Sequence, residues 1–496
     1  MAGSGDAILV IDSGTTSTRA ILFGLDGSVL AAAQQDITQH YPRPGWVEHD
    51  AAQIWELTLS TMRDAVKAAG GPGRIVSLGI TNQRETVVAW DRQSGEPLHH
   101  AIVWQDRRTA GQCRALQEAG HEARVQEQTG LRLDPYFSAT KMRWLLDNSE
   151  AVGAAARSGR LAFGTIESWL AFKLTGQHVS DASNASRTSL LPLHGKGWDH
   201  GLCELFGVPV SSLPQIVDTC GVFGHLAPEI LGADIPVSGM AGDQQAATIG
   251  QGCLKVGETK ATFGTGAFVL SNMGETAPLS DHRLLTTVLH QVGGQRQFAL
   301  EGSIFVAGSL LKWLRDNLGI IASAAESEAL ARSVPDSGGV TIVPALSGLG
   351  APHWLPEVRG QISGLSFATG RSHIARAALE AMAFQMHDLA RAFAADGAPW
   401  SALKIDGGMS TNDWLAQDLS DLLNLPVERP DHIETTALGA AVLSGVGAGL
   451  FGSLADAVHA LRGDTGRFEP ALDQASREAR LAQWASALEA VGVDRA

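Results

Sequence analysis

Cysteine is scarce in this chain: its 496 residues hold four, Cys113, Cys203, Cys220 and Cys253, far apart and with no C-x-x-C spacing. That gives no disulfide framework and no zinc signature, and it fits a reducing cytoplasm. Cationic side chains are also in deficit, with 37 Lys and Arg against 52 Asp and Glu and a net charge of -15. Binding nucleic acid or an anionic membrane needs clustered basic side chains to displace counterions, so the expected partner is a small molecule. No secretory signal is read at the polar N-terminus MAGSGD. One uncharged stretch, Thr435 to Ala455, is long enough to cross a bilayer. Its Gly439, Gly445, Gly447, Gly449 and Gly452, with several Thr and Ser, predict instead a small-residue helix buried in a domain and ending near Gly445. No lysine-bearing G-x-x-x-x-G-K-[ST] loop occurs, so phosphate must be held in another way.

What the chain does carry is a concentrated polar stretch at its start. Ile8 to Ile11 lead to Asp12, and a glycine then lets the backbone turn before Thr15, Thr16, Ser17, Thr18 and the cation of Arg19. The flanking runs are rich in β-formers and Asp26-Gly27 offers a further turn, which predicts strand, loop, strand, turn, strand. Backbone N–H groups and hydroxyls at such a turn suit a phosphate, while an ordinary hairpin would use the same residue types for the turn alone. Further on, Asp50 and Gln53 have capping-box spacing, and Trp55, Leu59, Met62 and Val66 recur at helical intervals. IVSLGI then reads as a buried strand that runs into Thr81-Asn82-Gln83-Arg84-Glu85-Thr86. Polar residues at the C-terminal end of a strand are where α/β proteins hold ligands.

The same order recurs. Lys260 to Asn272 is again a strand, a turn at Gly264-Thr265-Gly266 and a second strand. A helix beginning near Ser372, with Ile374, Ala378, Met382, Met386, Leu389 and Phe393 on one face, precedes the strand LKID and the loop Gly407 to Ser410. Length and a hydrophobic content of 44% allow two such cores. The expectation is a duplicated α/β fold with an N-terminal domain over residues 1–250, a C-terminal domain over 251–496, and a phosphate chain held in the cleft between them.

The blocks IDSGTTSTRA, YPRPGWVEHD, GITNQRET, AIVWQDRRT, DPYFSATK, NASRT, GMAGDQQAA, FGTGAF, SGLGAPHW and LKIDGGMSTND follow one another along most of the chain. Together they resemble the glycerol kinases of the FGGY sugar-kinase family. The resemblance implies two duplicated ribonuclease-H-like domains of the actin-like ATPase type, with ATP and glycerol in the cleft. It implies cytoplasmic, ATP-dependent phosphorylation of glycerol to sn-glycerol 3-phosphate, by a homodimer or homotetramer. A kinase of another polyol or of a ketose, and an actin-like nucleotide switch, are the alternatives.

Residue by residue, the resemblance implies Asp243 as general base. Arg84, Glu85, Trp104, Tyr136, Asp243, Gln244 and Phe268 would form the glycerol pocket, and Asp12 would hold Mg2+ through water. Ser13, Thr15, Thr16, Ser17, Arg19, Thr265, Gly308, Lys312, Gly408 and Asn412 would line the nucleotide. Ser13 and Lys312 depart from the family, which carries glutamine at both positions. Arg84 and Glu85 are neighbours, so in a regular strand they would face opposite ways, and sharing a ligand requires a loop. A guanidinium that donates and a carboxylate that accepts suit a polyol, whose hydroxyls do both. On its own, Asp243 would read as a helix N-cap.

Overall fold

The computed structural model describes residues 6–355, 357–431 and 434–493. Two sheets repeat one plan. In the first, β1 (Ala7–Ser13), β2 (Ser17–Gly24) and β3 (Val29–Asp36) form an antiparallel meander, and β4 (Ile75–Asn82) lies parallel to β1. β5 (Cys220–His225) and β6 (Pro236–Gly242) complete the order β5-β6-β4-β1-β2-β3. The second sheet opens with the hairpin β7 (Thr259–Phe263) and β8 (Ala267–Gly274), extended by β10 (Gln295–Ile304) and then β9 (Leu285–Val292). On the other side of β7 lie β11 (Leu403–Asp406), parallel to it, then β12 (Val427–Pro430) and β13 (Thr465–Phe468). Each half therefore sets a parallel strand beside the first strand of a hairpin, which is the duplicated ribonuclease-H-like arrangement.

Helices cover the sheets through small or apolar faces. α1 (Ala51–Ala68) packs on β2 and β3, and Asp50 Oδ1 caps it by accepting from Ala52 N at 2.9 Å and Gln53 N at 3.4 Å. The capping box is half made, because the Gln53 side chain bonds Thr38 instead of reaching back to the cap. The buried face runs through Ile54, Thr58, Met62 and Ala65, so Trp55 and Leu59 sit half-buried, one position off the expected stripe. Lys173 Nζ lies 5.6 Å from the Trp55 ring centre, within reach of a cation–π contact. α2 (Asp243–Gly250) follows β6, and α3 (Arg371–Ala395) buries Ile374, Ala378, Met382, Met386, Leu389 and Phe393 as expected.

α4 (Thr435–Gly447) leaves the second sheet and packs on β6, β4 and β1 of the first, and along α2. Its small residues let backbone meet backbone. A Cβ on Gly439 would stand 1.8 Å from the Ala246 carbonyl oxygen, and one on Gly239 of β6 would stand 2.4 Å from Ser444 N. Close packing inside the protein therefore explains the stretch, and among the described residues no helix is long and apolar enough to cross a membrane.

Beneath the C-terminal end of β4 the core turns polar. Asn82 Nδ2 donates to Asn184 Oδ1 at 3.0 Å and to Glu167 Oε2 at 3.2 Å, while Glu167 Oε1 accepts from the Thr165 and Ser180 hydroxyls, each at 2.7 Å. Burial pushes Glu167 up to about 7 and the adjacent Asp181 up to about 6.

Gly439→Ala should lower unfolding free energy by about 3 kcal/mol or more, since overpacking against backbone cannot relax; a denaturant titration within about 1 kcal/mol of wild type contradicts this contact. Folded-state carboxyl values of about 7 and about 6, above the ordinary 4.5 and 3.8, mean that protonation favours the fold, so the stability from this cluster is complete only below about pH 4, falls as pH rises from there, and is lost once pH passes about 6 to 7. Glu167→Gln should therefore flatten the fall of the denaturation midpoint over that range, and an unchanged slope would assign the fall to other groups.

Candidate active site

The residues expected to hold a polyol gather around the end of β4. Thr86 N donates to the Arg84 carbonyl at 2.8 Å across Glu85, whose φ is 60°. This is a γ-turn with a non-glycine residue in the left-handed region, a strained conformation costing on the order of 1–3 kcal/mol. It achieves what an extended strand cannot, bringing the Arg84 and Glu85 side chains into one site. The turn is held from outside: Ser138 Oγ donates to the Glu85 carbonyl at 2.9 Å, and Arg187 Nε donates to Glu85 Oε1 at 2.6 Å.

Glu301, from β10 of the second sheet, completes the cluster. It accepts from Arg84 Nη1 at 2.6 Å, Arg84 Nη2 at 3.2 Å and Arg187 Nη2 at 2.9 Å. Arg84, Glu85, Arg187 and Glu301 are buried, none with more than 2% of its side chain exposed, and their formal charges cancel. Burial raises the Glu85 pKa beyond what Arg187 and Arg84 lower it. At Glu301 burial also pushes upward, but the same two guanidiniums prevail and hold it below the usual carboxylate range. Gln245 Oε1 accepts from Arg84 Nη1 at 3.4 Å.

Asp243 is the first residue of α2, just inside the cap position held by Gly242, and its Oδ1 accepts from Gln244 N at 2.7 Å. It lies 3.3 Å from Arg84 Nε and faces the cleft with 32% of its side chain exposed. The desolvating surroundings raise its pKa against the pull of Arg84 and Lys260. Lys260 is buried, donates to Gln244 Oε1 at 2.5 Å and Thr262 Oγ1 at 2.8 Å, and is brought down to about 8 by burial.

Aromatic rings wall this group. Trp104 meets Tyr136 edge-on at 5.6 Å between centroids and Phe268 at 6.3 Å. Tyr136 Oη accepts from Arg84 Nη2 at 3.3 Å, and burial keeps the phenol protonated. Trp104 Nε1 donates to Thr15 Oγ1 at 2.9 Å, which ties this pocket to the first hairpin.

On that hairpin Asp12 and Arg19 are register partners across β1 and β2 and their side chains are paired, while Arg19 Nη1 also donates to Glu434 Oε2 at 2.5 Å. Gly14 N donates to the Ser17 carbonyl at 3.0 Å and closes the turn that carries Thr15 and Thr16. Ser13 Oγ is buried and has no hydrogen-bond partner among the described residues. The second hairpin turn is anchored by Ala307 N and Ser309 N, which donate to the Thr265 carbonyl at 3.0 and 3.1 Å. Gly308 is required there, because a Cβ would stand 2.6 Å from the Gly264 carbonyl oxygen and 3.3 Å from Met409 Cγ. The turn Gly408–Thr411 thus joins the same corner, and Asn412 Oδ1 caps the following helix by accepting from Leu415 N at 2.9 Å. Lys312 lies on the helix Gly308–Asp316 and is exposed.

The structure thus gathers Arg84, Glu85, Trp104, Tyr136, Asp243, Gln244 and Phe268 into one pocket beside the hairpin bearing Asp12 to Arg19, with Thr265, Gly308, Gly408 and Asn412 grouped on the second half. Sequence reasoning missed Glu301, Gln245 and Lys260 and gave Arg187 no role. The signal available was a lone charge inside an apolar strand, Glu301 in FALEGSIF and Lys260 in TKATF.

Residues 7–250 match the N-terminal domain, and residues 259–448 the C-terminal domain, of the FGGY family of carbohydrate kinases. A glycerol kinase of Rhodospirillum centenum is 53% identical over 489 residues, 98% of each chain. One from Rhodospirillum rubrum is 52% identical over 494 residues, 98% of this chain and 99% of the relative. Among solved structures, Plasmodium falciparum glycerol kinase with ADP superposes with a TM-score of 0.92 at 35% identity, covering 99% of each chain. A xylulose kinase from Lactobacillus acidophilus, at 20% identity and a TM-score of 0.88 over 99% of each chain, shares the fold. With both halves matched and full-length relatives above half identity, this protein belongs to the FGGY family of carbohydrate kinases.

Proposed function

We propose that the protein transfers the γ-phosphoryl group of ATP to glycerol, giving sn-glycerol 3-phosphate. The observation that carries this reading is the convergence of a guanidinium donor, two carboxylate acceptors and a phenol, Arg84, Glu85, Asp243 and Tyr136, beside the rings of Trp104 and Phe268. A small polyol fits that set, since each hydroxyl both donates and accepts while its carbon face lies on the rings. An analogue lacking a hydroxyl leaves buried polar groups unpaired and is rejected. The names of the full-length curated relatives support glycerol over a ketose or a longer polyol.

In this reading Asp243 takes the proton of a primary hydroxyl as its oxygen attacks the γ-phosphorus in line with departing ADP. Its upward-shifted pKa makes it a better base than an exposed aspartate. Gln244, steadied by Lys260, borders the same hydroxyl. Thr15, Thr16, Ser17 and Arg19 hold phosphate from one hairpin and Thr265 from the other; Gly308, Gly408 and Asn412 border the nucleoside. Ser13 and Lys312, in place of the family's glutamines, flank the phosphate and nucleoside ends. In this division residues 1–250 carry most of the glycerol site and residues 251–496 most of the nucleotide site.

Asp12 fits a magnesium ion arriving with the nucleotide. It is a hard oxygen donor whose pKa stays raised by burial although Arg19 pairs with it, so a further cation stabilises its charged form. When bound, that ion would neutralise charge on the β- and γ-phosphates. Four free, buried cysteines agree with a cytoplasmic setting, and the resemblance extends the proposal to a homodimer or homotetramer.

In a coupled ADP-release assay, turnover should depend on glycerol and be weak with xylulose, erythritol or dihydroxyacetone. Asp243→Asn should cut kcat by about 100-fold or more with glycerol binding retained. Near-wild-type turnover in that variant would sink the base assignment, and ATP hydrolysis without any acceptor would sink the kinase reading.

A further inference from the structure

We propose that Glu301 is a positioning residue for the substrate pocket, a carboxylate on the second sheet that aligns Arg84 directly and Glu85 through Arg187. The inference rests on the glycerol-kinase reading above. Glu301 meets Arg84 through both terminal nitrogens, at 2.6 and 3.2 Å, and such a fork fixes the plane of the guanidinium. The remaining edge of Arg84 is then turned so that Nε stands 3.3 Å from Asp243 Oδ1. The Oε1 atom that binds Arg84 also accepts from Arg187 Nη2 at 2.9 Å, and Arg187 Nε grips Glu85 Oε1 at 2.6 Å. One carboxylate thereby orients both the donor and the acceptor of the pocket.

Glu301 and Arg187 have no exposed side-chain surface, so they act through Arg84 and Glu85, and through Arg84 on Asp243, which is open to the cleft. Stability alone is a poor reason for this cluster, because desolvating four charges costs about as much as pairing them returns. Geometry is the better reason. The γ-turn at Glu85 is strained and needs an external hold, and Arg187 supplies one only while Glu301 fixes its other end. Arg187 is further seated 5.6 Å from the Tyr136 ring centre and 5.2 Å from that of Phe137, which extends the same alignment to the phenol. Glu301 also belongs to the sheet that supplies Phe268 and Thr265, so the grip on the acceptor is indexed to the half of the molecule that faces it.

The test is steady-state kinetics on Glu301→Gln, which keeps shape and removes charge. Wild-type enzyme is assayed first: no glycerol-dependent turnover there counts against the functional reading and leaves this inference to one side of that failure. With wild-type turnover in hand, E301Q should raise the glycerol KM by about 10- to 100-fold while the ATP KM stays within about twofold. Glu301→Asp should recover part of the loss. A glycerol KM in E301Q equal to wild type overturns the proposal. If E301Q does not fold, because a buried guanidinium is left unpaired, Glu301→Asp takes its place, since it keeps the charge and withdraws the carboxylate by one methylene. A raised glycerol KM in that variant supports positioning; a wild-type KM means that Glu301 supplied charge balance alone, and overturns it.

Discussion

Two guanidiniums share one carboxylate at the floor of the cleft, and the pocket is built outward from that contact. Glu301 comes from the second sheet, while Arg84, Arg187 and Glu85 come from the first half of the chain. The cluster is neutral as a whole, which permits four charges to be buried together. It leaves Asp243 as the charged group open to the cleft, beside a guanidinium already oriented by another partner. In the proposed reading, binding inserts hydroxyls into a set of donors and acceptors whose directions are fixed before the substrate arrives, which is the condition for catalysis by positioning.

The second constraint is steric. α2 and α4 touch backbone to backbone: a Cβ on Gly439 would overlap the Ala246 carbonyl, and one on Gly250 would stand 2.1 Å from the Thr435 carbonyl oxygen. Asp406, at the end of β11, closes the same joint by accepting from Gln251 Nε2 at 2.9 Å and Thr435 Oγ1 at 2.6 Å. Since α2 begins with Asp243, small residues far along the chain determine where the proposed base stands. In the proposed reading, glycine at these positions serves the geometry of the site as well as the packing.

Much of this was legible in the sequence where the physics is local. Aliphatic runs ending in polar clusters marked β1, β4 and β7, and the repeated order of strand, turn and strand disclosed the duplication. The small-residue stretch at Thr435 was recognisable as a buried helix, yet the sheet it covers was not, because that choice depends on contacts with Gly79 and Gly239 hundreds of positions away. Arg84 and Glu85 demanded a loop, but a γ-turn at a non-glycine residue is set by Ser138 and Arg187 and leaves no local mark. Glu301 was missed for the same reason: a single charge in a strand resembles an exposed residue until its partner, 217 positions distant, is known. Trp55 and Leu59 fell one position off the buried face because both the right face and its neighbour carry apolar side chains.

The most direct test of the account is a crystal structure of the protein with glycerol and a non-hydrolysable ATP analogue. The account predicts one glycerol in the pocket, with hydroxyls on Arg84 and Glu85 and a primary hydroxyl about 2.6–3.2 Å from Asp243, aimed at the γ-phosphorus held between the two hairpins. Glycerol bound elsewhere, or seated there with Asp243 out of hydrogen-bond reach of its hydroxyls, would contradict it.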